Sequence, residues 1–211
     1  MPTRIAKLPR DRGYPVPWFV EWIDGKPDFR IMDSRKLRDA IRFETCWICG
    51  EHRGRNAAFV IGPMCAVNRV SAEPPSHLDC AVYSARRCPF LANPNMQRRD
   101  RGKPEHVNPA GVMITRNPGV ALVWVTRNHS VFKAPGGVLF DVGDPIDTQW
   151  FAHGRPATRD EVQASIDSGL PALREAAAAD GAVALRQLDA QLATALTLLP
   201  PRTDTTTECP A

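Results

Sequence analysis

The stretch "CWICGEHRGRNAAFVIGPMCAVNRVSAEPPSHLDCAVYSARRCPF", residues 46–90, constrains this chain more than any other. It holds five of the six cysteines, and two residue pairs in it have metal-ligand spacing. Cys46 and Cys49 form C-x-x-C followed by Gly50. That spacing lets one tight turn aim two thiolates at one ion, and the glycine supplies the positive φ such a turn needs. His77 and Cys80 form the second pair, in "PPSHLDC". Pro74 and Pro75 keep the chain extended there, and Ser76 is placed to cap a helix. Residues three apart share a helical face, so His77 and Cys80 should point the same way. The positive end of that helix favours thiolate over thiol.

Between the pairs, "NAAFVIG" and "MCAVNRV" read as a small hairpin. A cysteine turn, a hairpin and a helix whose start supplies the last ligands together resemble the treble-clef zinc finger. The resemblance covers residues 46–88 and implies a structural Zn²⁺ held by Cys46, Cys49, His77 and Cys80. Treble clefs do not need Cys65 or Cys88, yet both lie inside the segment. Cys65, expected on the second hairpin strand, is an alternate ligand. A Cys46/Cys49/Cys65/Cys80 set could hold an iron–sulfur cluster, although the mixed Cys/His set suits zinc better. Cys88 lies about 12 Å from Cys80 along an unbroken helix, too far to share an ion. It is then a buried thiol, or the helix ends early at Pro89. His52 reads as a solvent-facing loop residue.

A catalytic zinc keeps an open position, whereas four protein ligands can be drawn here. The chain has no H-E-x-x-H, no P-loop, no dinucleotide fingerprint and no G-x-S-x-G. A structural metal in a non-enzymatic protein is the expectation. An enzyme using Cys65 or Cys88 as nucleophile is a further alternative. Function should then lie on surfaces. Residues 1–157 carry 23 Lys and Arg against 15 Asp and Glu, and residues 158–211 carry 4 against 8. A basic body suits an anionic partner. Candidate nucleic-acid contacts are Arg53, Arg55, Arg69, Arg86, Arg87, Arg98, Arg99 and Arg101. The alternative is a protein partner, or self-association, through residues 158–199.

The expected fold class is α+β. Residues 1–13 have few apolar anchors and are expected to be a flexible N-terminus. Residues 14–154 form an α+β body around the zinc module at 46–88. "VPWFVEWIDGKPDFRIMD" reads as a hairpin about Asp24-Gly25, with Trp18, Val20 and Trp22 on one face. "SRKLRDAIRF" is a helix capped by Ser34 or Asp33. The runs at 119–127, 130–134 and 137–143 read as an antiparallel meander. Residues 155–200 are helical: Thr158 and Glu161 form a capping box, Gly169 and Pro171 interrupt the helix, and Asp180-Gly181 breaks it again, giving a helical hairpin or three helices. Residues 201–211 read as a disordered tail. Outside the zinc module, the chain resembles small uncharacterised proteins of bacteria and their phages, which implies no activity. No apolar run reaches the length of a membrane span. The basic start lacks an apolar h-region, so the expected compartment is the reducing cytoplasm, where clustered cysteines are ligands and not disulfides.

Overall fold

The computed structural model describes residues 1–94, 96 and 117–202. It is α+β, with antiparallel sheets and C-terminal helices. The chain opens with α1 (Thr3–Ala6), a small ladder of β1 (Arg10–Asp11) and β2 (Tyr14–Pro15), and a hairpin of β3 (Val20–Ile23) and β4 (Lys26–Met32). Asp24 and Gly25 both have positive φ, as a two-residue turn of this hand demands. A register shift between Val20 and Glu21 breaks the expected alternation. Val20 is therefore buried, whereas Trp22 is exposed and does not share an inward face with Trp18. α2 (Ser34–Phe43) follows, and Asp33 is its cap, accepting from the Arg35 N–H at 2.8 Å.

The central elements are β5 (Ala57–Ile61), α3 (Pro63–Asn68), β6 (Val70–Ser71), α4 (Leu78–Arg87) and α5 (Pro89–Ala92). Then come β7 (Ala121–Thr126), β8 (Ser130–Ala134), β9 (Gly137–Asp141), β10 (Pro145–Ala152), β11 (Arg155–Pro156), α6 (Arg159–Asp180) and α7 (Ala182–Leu196). No hairpin forms between the two ligand pairs. Pro63 starts a helix at its first turn, and β5 pairs instead with the distant β7. The expected meander also divides. β7 is buried along its whole length and takes the centre of a sheet ordered β11-β10-β7-β5, while β8 and β9 join β6 in a separate sheet.

Period-two alternation makes the central sheet two-faced. Phe59, Leu122, Trp124 and Trp150 point into the main core, with Phe140 of β9 and Val162 and Ile166 of α6. Ala58, Val123, Val125 and Phe151 point the other way, onto Ala81 and Ala85 of α4. The helices after residue 155 thus share the main core. Leu188 and Ala195, from the leucine-rich stripe of α7, are buried against Val67 of α3. α6 also runs through Gly169 and Pro171 without a break. Packing on both sides of the proline explains this. Gly169 lies so close to Met64 that a Cβ would come within 2.9 Å of its side chain, and Leu173 and Ala177 continue the contact with α3 and α7. Among the described residues no helix is long and apolar enough to cross a membrane.

Candidate metal centre

The ligand atoms of Cys46, Cys49, His77 and Cys80 all lie within 4.8 Å of one another. Two local structures bring them together. The first is the knuckle at residues 46–51, where the Gly50 N–H bonds to the Cys46 carbonyl at 2.9 Å and the Cys46 N–H to the Glu51 carbonyl at 2.8 Å. Gly50 has φ +77°, and a Cβ there would sit 2.6 Å from Trp18 Cδ1. The turn and the packing therefore both require glycine. The second is the entry to α4. Ser76 is not the cap: its backbone exchanges two hydrogen bonds with Ala58 on β5, at 2.8 and 3.0 Å. His77 occupies the cap position in an extended conformation, one residue before the helix. The sheet edge thus places His77, and the first turn of α4 places Cys80.

The histidine ring is oriented by its far nitrogen. His77 Nε2 lies 2.9 Å from the His52 carbonyl oxygen, which can only accept, so Nε2 carries the proton. Nδ1 is left with its lone pair, 3.4 Å from Cys49 Sγ and 3.9 Å from Cys80 Sγ. A tetrahedral ion with metal–sulfur bonds of about 2.3 Å and a metal–nitrogen bond of about 2.0 Å would separate nitrogen from sulfur by about 3.5 Å. The observed spacings bracket that value. The donor set, the tautomer and the spacing therefore fit a closed four-ligand metal site.

The electrostatics favour a cation at the centre. Hydrogen bonds from the Cys49 and Cys80 thiols hold the Cys46 sulfur well below the ordinary thiol range, helped by the Cys49 and His77 backbone N–H groups. The contact with Cys46 pushes Cys49 up to about 11, and Cys46 and then Cys49 push Cys80 far up. One sulfur ionises readily, and its charge opposes the other two. A divalent ion between them reverses that opposition.

The site is closed from outside by residues expected to be loosely held. Ile5 of α1 is 1% exposed and packs with Cys46, Ile48, Cys49 and Cys80, with Leu8 and Tyr83 beside them. Ion pairs from Arg4 to Asp79 (3.7 Å) and from Lys7 to Glu51 (3.9 Å) flank it. The signal for this lid was the Ile5/Leu8 spacing in "RIAKL", too short to interpret alone.

The other singled-out residues lie elsewhere. Cys65 is on α3, against the main core, and takes no part in the cluster. The four-cysteine set is therefore not assembled. α4 ends at Arg87, and Cys88 stands between it and α5. Burial pushes both the Cys65 and Cys88 thiols up. Of the arginines, Arg55 and Arg87 are exposed. Arg86 is exposed too and donates to the Gly154 carbonyl. Arg69 is held by Asp144 at 2.6 Å and lies over the Trp124 ring. Arg53 is not on the surface at all, being 7% exposed. Arg98, Arg99 and Arg101 lie outside the described residues. No family model matches the chain, and neither a curated protein nor a solved structure matches it.

Proposed function

We propose that Cys46, Cys49, His77 and Cys80 hold a structural Zn²⁺, and that the protein is a zinc-stabilised binding protein whose partner is a nucleic acid. The observation that carries the metal reading is the convergence of three thiols and one imidazole, its Nδ1 facing the sulfurs, in a site packed against Ile5. Four protein ligands leave no open position for a substrate or a reactive water, so the ion acts as a staple. It joins the knuckle, which carries the β3–β4 hairpin through the Trp18 N–H bond to the Ile48 carbonyl, to a helix backed by the central sheet. The raised thiols of Cys65 and Cys88 run opposite to what a nucleophile needs.

The nucleic-acid reading is supported by the excess of basic residues in the body of the chain and by the exposed guanidinium groups of Arg55 and Arg87. A gel-shift assay with single- and double-stranded probes at two salt concentrations tests it. The expected result is binding at low salt that weakens as salt rises, and that weakens again in Arg55→Ala/Arg87→Ala. No binding at low salt would reject a nucleic-acid partner and leave the zinc staple standing.

A further inference from the structure

α2 ends on an aromatic ring held at the surface. Phe43 is 54% exposed, and the exposed Arg42 guanidinium lies 5.1 Å from its ring centroid. An accessible aromatic face beside a cation suits an unstacked base, whose π-face needs a partner and whose phosphate needs a charge. The chain then turns back on itself. Glu44 closes the helix with φ +50°, Thr45 bridges to His52, and the Arg53 N–H bonds to the Glu44 carbonyl at 2.8 Å. His52 Nδ1 donates to the Phe43 carbonyl at 3.2 Å. Residues 52–53 are thus fixed against the end of α2, and the exposed Arg55 follows two positions on.

A third stretch reaches the same corner. β5 begins with Ala57 opposite Thr126, the last residue of β7. The next residue, Arg127, is exposed, and its Nε donates to Asn56 Oδ1 at 3.3 Å. Arg42, Arg55 and Arg127 are distant in sequence, and the fold collects them. None of the three forms an ion pair among the described residues. Arg69, Arg155 and Arg174, by contrast, are each tied to a carboxylate at 2.6–2.7 Å. The exposed Glu44 is the carboxylate at the turn, so three guanidinium groups against it leave the corner positive. Guanidinium groups with no carboxylate partner keep their paired donors for phosphate oxygens.

We infer that this corner binds single-stranded nucleic acid: a base stacks at the Arg42–Phe43 pair, and Arg55 and Arg127 meet the flanking phosphates. A duplex keeps its bases stacked on one another and would leave Phe43 without a role. The inference rests on the nucleic-acid reading above. It names the surface and the strandedness of the partner, and it brings in Arg42, Phe43 and Arg127.

The test is fluorescence anisotropy with the full chain and labelled oligonucleotides of one mixed sequence, single-stranded and duplex, over a series of salt concentrations. The single strand should bind more tightly. Phe43→Ala should weaken it by about fivefold or more at every salt concentration, as loss of one stacked base does. Phe43→Leu keeps an apolar side chain without an aromatic face and should be as weak, whereas Phe43→Tyr should stay within about twofold of wild type. Arg127→Gln should lower the slope of log affinity against log salt by about 0.7, the value for one lost phosphate contact on a single strand. Arg186→Gln on α7 removes the same charge elsewhere and should leave that slope unchanged. Circular dichroism and metal content check that each variant folds alike. A wild-type chain that binds neither probe at low salt rejects the nucleic-acid reading, and this inference with it. Wild-type binding that Phe43→Ala and Arg127→Gln leave unchanged overturns the corner alone. A duplex bound as tightly as the single strand, or a leucine variant as strong as wild type, overturns the stacking role.

Discussion

The metal corner and the central sheet are both buried, but they are held in different ways. In the sheet, Phe59, Leu122, Trp124, Phe140, Trp150, Val162 and Ile166 meet from five elements, and no single residue carries the packing. The metal corner has two buried aliphatic anchors, Ile5 and Ile48, with three cysteines and the partly buried Leu8 and Tyr83. Apolar burial contributes through area, so losing one side chain there subtracts a part. Coordination acts through a set, and losing one ligand dissolves the set. A chain of this length can build an apolar core unaided. The staple therefore holds a corner that lies beyond the core's reach, joining the N-terminal hairpin to α4.

Removing a ligand should separate the two regions most strongly. Cys80→Ser should forfeit most of the metal binding, which is about 10–16 kcal/mol for structural zinc sites. Residues 1–51 should become protease-sensitive while the β7 amides stay protected from hydrogen exchange. Equal loss of protection in both regions would show that the two are one cooperative unit. On the sheet side, Phe59→Ala should cost about 3–5 kcal/mol in urea unfolding and leave metal stoichiometry unchanged. Loss of metal in that variant would put the site under control of the core. Ile5→Ala should cost about 2–4 kcal/mol, at the smaller end for a site near an edge, and should speed metal extraction by a chelator. An unchanged extraction rate would remove the lid from the account. The smallest effect lies at the edge of the central sheet, between β11 and the start of α6. Arg155, with the Thr158 N–H, holds the Glu161 carboxyl down to about 2, from an ordinary 4.5. Its folded value is the lower one, so its stabilisation is present above about pH 4.5 and is lost as pH falls through about 2. Glu161→Gln should flatten that acid limb of the stability curve without touching metal affinity.

The same contrast governs what could be read from the residues. Local signals were legible. Asp24-Gly25 marked its turn, the cap of α2 was narrowed to Asp33 or Ser34 and is Asp33, and Thr158 with Glu161 formed the capping box, because each of these is decided within a few residues. The quartet was legible because ligand chemistry restricts which residues may take part. Non-local pairing was not. "NAAFVIG" becomes a strand beside residues more than sixty positions away, and "PIDTQWFA" becomes β10, although its polar residues hide the inward Trp150 and Ala152. Pro171 looked like a stop, and tertiary packing overrode it. The buried state of Arg53 had no local signature, since a lone arginine near a turn is ordinarily at the surface.

Elemental analysis of the purified full chain, with His77→Ala and Cys46→Ser as controls, decides whether the quartet holds zinc. About one zinc per wild-type chain is expected, and none in either control. A folded wild-type chain that carries no metal and does not take up zinc, with Cys46, Cys49 and Cys80 reacting freely with a thiol reagent, would contradict that expectation.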